Sequence, residues 1–149
     1  MVKTKNIRIV IADSKLKRTF KKELEGADKD QLYNKKIGDK FRGEVVGLTG
    51  FEFEITGGSD HSGFPMAKQV EAAGRVKLLL SNGFGHKAKR GFRSVRQKKG
   101  VAGNTISERT TQVNCKIIKW GSIDLMEHFG IKPKEVKAEA VAEEIKTTA

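Results

Sequence analysis

The chain has 149 residues, enough for one ordinary domain, and its 30 Lys and Arg against 18 Asp and Glu give a net charge of +12. This charge favours a polyanionic partner, although anionic membranes and acidic proteins would also attract it. No run of about 18 apolar residues predicts a membrane-spanning helix. The single cysteine, Cys115, excludes an internal disulfide and a cysteine zinc cluster. We expect a cytoplasmic protein that binds neither a metal nor a cofactor.

The first part of the chain shows a period-two pattern of apolar residues. Ile7, Ile9 and Ile11 share one face of a strand predicted over residues 2–12. In the next segment, residues 16–25, the apolar residues are spaced by four, which suits a helix, but they also lie on alternate positions, which suits a strand. We favour a strand that forms a hairpin with the first.

Short elements are predicted along the rest of the chain. Residues 28–34 are typical of one or two helical turns, with Asp28 as the N-terminal cap. Alternating apolar residues then predict further strands, which cover residues 41–45, 51–55, 75–80 and 111–120. In the last strand Cys115 lies on the apolar face, which predicts a small core residue and not a nucleophile.

The pattern as a whole predicts a mainly β protein. Several short strands with glycine-rich turns are typical of a small antiparallel barrel-like domain. We assign this domain to residues 1–121, with a long basic loop over 84–104, and expect it to be a monomer when free. Residues 122–149 follow as a short helix stopped by Gly130 and a mixed-charge tail, which could be a surface helix or an unfixed segment.

The positive charge is concentrated in one stretch. Between Ala72 and Ser107 there is no Asp or Glu, and this stretch contains nine cations. They are Arg75, Lys77, Lys87, Lys89, Arg90, Arg93, Arg96, Lys98 and Lys99. Like charges without an apolar period predict an exposed, mobile loop that contacts RNA phosphates. A solvated loop that only raises solubility is the competing interpretation, but soluble surfaces usually mix both signs.

Three other residues of this stretch are candidates for RNA contact. His86 is interpreted as a solvated loop histidine that adds to RNA binding. Phe84 and Phe92 are spaced among the cations and could stack on unpaired bases. Packing of these rings back against the barrel is equally compatible with the sequence.

A glycine-rich segment precedes the basic stretch. Residues 55–66 read Ile-Thr-Gly-Gly-Ser-Asp-His-Ser-Gly-Phe-Pro-Met, which predicts a tight corner where Asp60 bonds to nearby backbone amides. The segment lacks the Gly-Lys-Ser/Thr ending of a nucleotide phosphate loop. It resembles the signature of the ribosomal protein S6e family of the archaeal and eukaryotic small subunit. The matching residues are Ile55, Thr56, Gly57, Gly58, Asp60, Gly63, Pro65 and Met66.

The resemblance covers roughly residues 2–120 and continues through segments 74–81, 93–96 and 103–107. It implies a mainly β domain bound to small-subunit ribosomal RNA beside neighbouring ribosomal proteins, with a structural role in translation and no catalytic residues. The chain is similar to the short archaeal form. Its tail lacks the serine cluster of the long eukaryotic extension, so regulation by phosphorylation is not implied.

Other classes of function are less well supported. An enzyme would need clustered catalytic groups, but the three histidines lie far apart and show no metal-ligand spacing. Adhesion to membranes would need an amphipathic cationic helix, which the basic stretch does not predict. A free-standing barrel that binds single-stranded nucleic acid shares the strands, glycines and cations, and remains the main alternative.

Overall fold

The computed structural model describes residues 6–81, 83–87, 95–123 and 125–130. The described part contains seven strands, two short α-helices and one 3₁₀ helix, Gly43–Val46. In chain order the strands and α-helices are β1 (Ile7–Asp13), β2 (Arg18–Leu24), α1 (Ala27–Asp30), β3 (Lys40–Arg42), β4 (Glu52–Asp60), β5 (Arg75–Leu80), β6 (Gln97–Ala102), β7 (Thr110–Lys119) and α2 (Leu125–His128). The protein is mainly β, as predicted.

The strands form two sheets. The larger sheet has the order β2-β1-β7-β4-β3, and the smaller sheet is the hairpin β5-β6. The expected antiparallel arrangement is wrong at one pair, because β1 and β7 run parallel with Ile9 opposite Val113. Parallel neighbours need a long crossover connection, and here it includes all of the chain between Asp13 and Thr110. A pattern of local alternation carries no information about such a distant partner.

The core lies on one face of the larger sheet. Alternate residues of β1 and β7 point inward, and the side chains of Ile9, Ile11 and Val113 are fully buried. The ambiguous second segment forms a strand, as favoured: Phe20 is buried on β2, whereas Leu16 lies in the preceding turn and is 42% exposed. Burial of each large apolar side chain contributes about 1.5–3 kcal/mol.

Aromatic residues fill the core between β3 and β4. The ring of Phe53, which is fully buried, lies 5.4 Å from that of Phe41 and 6.1 Å from that of Phe51. The strand predicted over 41–45 is wrong beyond residue 42, where the chain enters the 3₁₀ helix. The reason is steric, since a Cβ on Gly43 would lie 2.1 Å from the carbonyl oxygen of Leu48, which folds back over it.

Both short helices differ in detail from the prediction. Helix α1 begins at Ala27 after Gly26, and no side chain caps it, so the expected cap at Asp28 is wrong. Helix α2 is a single turn within the predicted segment 122–129, and Gly130 after it has φ +60°. Leu125 is buried in the core and Phe129 stacks on Phe20 with ring centroids 5.1 Å apart. The tail over residues 132–149 lies outside the described residues.

The predicted loop over 84–104 is wrong at its C-terminal part. Residues Gln97–Ala102 form β6, which pairs with β5 in continuous antiparallel register from Leu80 opposite Gln97 to Arg75 opposite Ala102. Val101 is fully buried and anchors this strand, while Lys98 and Lys99 remain exposed. The charges did not prevent a strand because an exposed face and an exposed edge leave them in water.

Candidate nucleic-acid interface

The signature segment joins the two sheets. Residues 64–67 run between β4 and β6, and backbone hydrogen bonds fix them on both sides. Toward β4, the N–H of Met66 donates to Gly58 at 3.0 Å and that of Asp60 donates to Phe64 at 3.0 Å. Toward β6, the N–H of Ala102 donates to Pro65 and that of Ala67 donates to Ala102, both at 2.9 Å. The signature therefore sets the position of the basic hairpin β5-β6 relative to the larger sheet.

The glycines of the signature have different roles. A Cβ on Gly58 would lie 2.3 Å from the carbonyl oxygen of Gln112 on β7 and 2.9 Å from the sulfur of Met66. A Cβ on Gly57 would meet nothing within 4 Å. Gly63 has φ +81°, the left-handed region that favours glycine, and lies in the turn closed by its N–H to Asp60. Only Gly58 is required for close approach of the strands.

Asp60 organises the corner, as its predicted bonding to a backbone amide indicated. Its side chain is 3% exposed, and its Oδ1 accepts the backbone N–H of His61 at 2.5 Å, with the Nδ1 of that residue also at 2.5 Å. Its Oδ2 accepts Nε–H of Arg75. Burial by itself would raise the pKa of Asp60, but the hydrogen bonds from Arg75 and His61 outweigh it and hold the pKa below its ordinary 3.8. The buried carboxyl is thus ionised at neutral pH.

Arg75 connects the hairpin to this corner. Besides its bond to Asp60, its Nη2 donates to Ser62 Oγ at 2.7 Å, and the guanidinium lies 4.8 Å from the ring centroid of Phe64. The side chain is 33% exposed. Sequence reasoning chose Arg75 for its charge and missed Asp60 as its partner. The available signal was an acidic residue in the signature, close to the first cation of an acid-free stretch.

The described cations of the hairpin lie on both of its faces. Directly opposed residues of an antiparallel pair share a face, so Lys77 and Lys98 lie on one side and Lys99 on the other. All three lysines are exposed, as are Lys87 and Arg96. Lys89, Arg90 and Arg93, also predicted to bind RNA, lie outside the described residues.

The hairpin extends past one end of the larger sheet. Segment 64–67 is antiparallel to β4 and parallel to β6, so β6 runs in the direction of β7. Ala102 lies beside Met66, Met66 beside Gly58, and Gly58 opposite Val113. Gln97 precedes Ala102 by five residues, about 16 Å of strand, and therefore lies beyond the Thr110 end of β7.

Two predictions about the turn after β5 have opposite outcomes. The expectation of a solvated His86 is wrong, because this residue is 9% exposed and its backbone pairs with Gly83. Gly85 folds this turn onto the hairpin, where a Cβ would lie 3.2 Å from Leu80 and 3.3 Å from Val101. Phe84 is 59% exposed, so it does not pack back against the body. Phe92 lies outside the described residues.

Catalytic and metal chemistry find little support in the described part of the chain. Within it, no group of three or more His, Cys, Asp or Glu side chains is placed to hold a metal ion. Burial raises the pKa of the Cys115 thiol to about 12, so the predicted core role of this residue is confirmed and a thiolate nucleophile is excluded at neutral pH. No helix of the described residues is long and apolar enough to cross a membrane.

Comparison with known proteins agrees with the signature. The family model for ribosomal protein S6e matches residues 7–130. Small ribosomal subunit protein eS6 of Archaeoglobus fulgidus is 41% identical over 129 residues, which cover 86% of this chain and 97% of that protein. The proteins of the same name from Methanocaldococcus jannaschii and Methanosphaera stadtmanae are each 38% identical, over 86% and 89% of this chain and 94% and 98% of their own. The resemblance predicted from the signature is thereby confirmed, and the chain belongs to the ribosomal protein S6e family.

Proposed function

We propose that this protein is a structural constituent of the small ribosomal subunit and contacts ribosomal RNA through the basic hairpin β5-β6. Its relatives carry the name small ribosomal subunit protein, and membership of their family assigns a structural and not a catalytic role. In this proposal residues 1–121 form the RNA-binding body. The protein works in the cytoplasm, on the ribosome and beside other ribosomal proteins, and is a monomer when free.

The observation that carries the RNA contact is an acid-free cationic hairpin on a fixed base. Its exposed lysines Lys77, Lys98 and Lys99 have no ion-pair partner among the described residues, so they are available to phosphates. The base is held by Asp60 and Arg75, which limits the conformational entropy lost on binding. Phosphate contacts by such cations release counterions and contribute affinity without sequence specificity.

Apolar groups beside the cations support contact with irregular RNA. Phe84 offers a largely exposed ring, and Leu79, 57% exposed, lies opposite Lys98 on one face of the hairpin. Unpaired bases stack on aromatic rings in single-stranded and looped RNA. Lys89, Arg90, Arg93 and Phe92 remain part of the proposed surface on the strength of the sequence.

The test is the salt dependence of binding to small-subunit ribosomal RNA. Five to seven contacts to irregular strands predict a slope of log K against log salt of about −3.5 to −5. Replacement of Lys77, Lys98 and Lys99 by Gln should flatten the slope by about 2 and weaken binding about 100-fold at 0.1 M salt, from about 0.7 per contact. The measurement is filter binding or fluorescence anisotropy between 0.1 and 0.4 M salt, a window of roughly one Debye length.

A matched control removes the same charge elsewhere. The variant Lys36→Gln/Lys40→Gln/Lys68→Gln lies outside the hairpin and should retain the wild-type slope. Equal losses in both variants would mean that net charge alone drives binding, against a specific hairpin surface. Sedimentation separates the main alternative: the protein should travel with small subunits at moderate salt, whereas a free-standing single-strand binder would stay in the soluble pool.

A further inference from the structure

A second cationic surface lies on the turn between β1 and β2. Residues 14–22 contain five cations and no Asp or Glu. They are Lys15, Lys17, Arg18, Lys21 and Lys22. Lys15, Lys17 and Lys21 are exposed and Arg18 is half-buried, and none of the four forms an ion pair among the described residues. Lys22 differs, since its Nζ donates to the carbonyl of Val46 at 2.5 Å.

The turn is built to present these side chains. The buried Asp13 accepts the backbone N–H groups of Lys15 at 2.8 Å and of Leu16 at 3.4 Å, so its carboxylate is occupied inside the turn. The Nζ of Lys15 lies 4.1 Å from the ring centroid of Trp120. Lys17 has φ +50°, an uncommon conformation for a residue with a side chain. Such fixation of a lysine-rich turn does not serve solubility, for which unordered charges suffice.

This turn and the basic hairpin lie at opposite ends of the larger sheet. Ala12, just before the turn, is opposite Lys116 on β7, and Lys15 reaches Trp120 beyond the end of β7. The hairpin joins the sheet near Val113 and extends past the Thr110 end. Because β7 has ten residues, the two cationic surfaces are separated by about 30 Å. A single short RNA segment cannot contact both.

We propose that the β1-β2 turn is a second RNA-binding site, so that the protein bridges two separate segments of ribosomal RNA. The inference rests on the proposed function for its choice of RNA as the ligand. Lys15, Lys17 and Arg18 contact phosphates, and the exposed Leu16 lies against a sugar or base. The dense charge of a phosphate backbone matches four cations on a short turn better than a peptide with scattered acids does.

The test counts RNA molecules per protein. The full chain is mixed with an excess of a short RNA stem-loop, whose helix is shorter than the 30 Å estimate for β7, and the complexes are weighed by native mass spectrometry at about 0.1 M salt. Wild type should bind two RNAs. The turn variant Lys15→Gln/Lys17→Gln/Arg18→Gln should bind one, since loss of three contacts weakens one step about 100-fold. The Lys36→Gln/Lys40→Gln/Lys68→Gln control should still bind two.

Two further variants separate this inference from the proposed function. The hairpin variant Lys77→Gln/Lys98→Gln/Lys99→Gln should bind one RNA at the turn, and joining both sets of substitutions should abolish binding. If the turn variant still binds two RNAs, or wild type binds only one, the second site is overturned while the hairpin proposal stands. If the hairpin variant binds like wild type, the hairpin proposal fails and the turn is judged by its own variant.

The charge-preserving variant Lys15→Arg/Lys17→Arg/Arg18→Lys guards against a folding artefact. It should bind two RNAs, with the same thermal midpoint as the Gln variant. A Gln variant that unfolds earlier is replaced by Lys17→Gln/Lys21→Gln, which leaves Lys15 on Trp120 and should weaken the turn step about 25-fold, at about 0.7 per contact. No weakening in this variant contradicts the proposal, as does displacement of the turn-bound RNA by an acidic peptide of equal charge concentration.

Discussion

The two adjacent glycines of the signature should respond differently to the same substitution. In Gly58→Ala the new Cβ would lie 2.3 Å from the carbonyl oxygen of Gln112, deep inside the contact distance of about 3.5 Å. That oxygen belongs to β7, the central strand of the larger sheet, so relief requires β4 and β7 to separate. Overpacking of this kind costs about 1–3 kcal/mol or more. We expect Gly58→Ala to lower the free energy of unfolding by about 3 kcal/mol.

Gly57→Ala supplies the matched control. Its Cβ would meet nothing within 4 Å, and its φ is not in the left-handed region, so the side chain enters open space without backbone strain. Loss of glycine freedom in the unfolded chain makes the change neutral or stabilising by up to about 1 kcal/mol. Urea unfolding followed by circular dichroism gives both values from the midpoint and slope. Equal destabilisation by the two substitutions would refute the assignment of close approach to Gly58 alone.

Three further outcomes follow from the same structure. Arg75→Gln should cost about 2 kcal/mol at pH 7, because hydrogen bonds to charged groups contribute about 1.5–3 kcal/mol. Since the folded pKa of Asp60 is lowered, this stabilisation is complete above its ordinary pKa of about 3.9 and disappears as the pH falls through the lower folded value; urea midpoints that differ equally at pH 7 and pH 2 would contradict it. Cys115 should react with a thiol reagent at pH 8 only in denaturant, as its pKa of about 12 and burial require, and fast native labelling would be inconsistent with that. Phe53→Ala should cost about 3–5 kcal/mol in thermal or urea unfolding, and a loss below 1 kcal/mol would mean that the aromatic cluster repacks.

Local patterns were sufficient where the local environment decides the conformation. The alternation of Ile7, Ile9 and Ile11 predicted β1, and residues 75–80 predicted β5 with the bounds that the structure has. The burial of Cys115 followed from the same period of two. Each case depends only on which face of a strand is apolar. The 3₁₀ helix at Gly43–Val46 was missed because the contact of Gly43 with Leu48 overrides the alternation.

The candidate site was predicted only in part. The stretch free of acidic residues identified the cations, but it could not distinguish the exposed Lys98 from the buried His86. Repulsion between like charges suggested a loop, whereas pairing with β5 produced β6. The basic turn around Lys17 was overlooked because its charges occupy nine residues and are followed by the acidic pair Glu23 and Glu25.

The sequence by itself determined the mainly β class, the family and the charge that calls for a polyanion, because composition, signature and alternation are properties of neighbouring residues. The tertiary structure alone decided that β1 lies parallel to β7, that Asp60 holds Arg75, and that two cationic surfaces lie at opposite ends of one sheet. These features depend on which distant segments pair. That choice is made by burial of the whole core at once, and no short stretch of sequence encodes it.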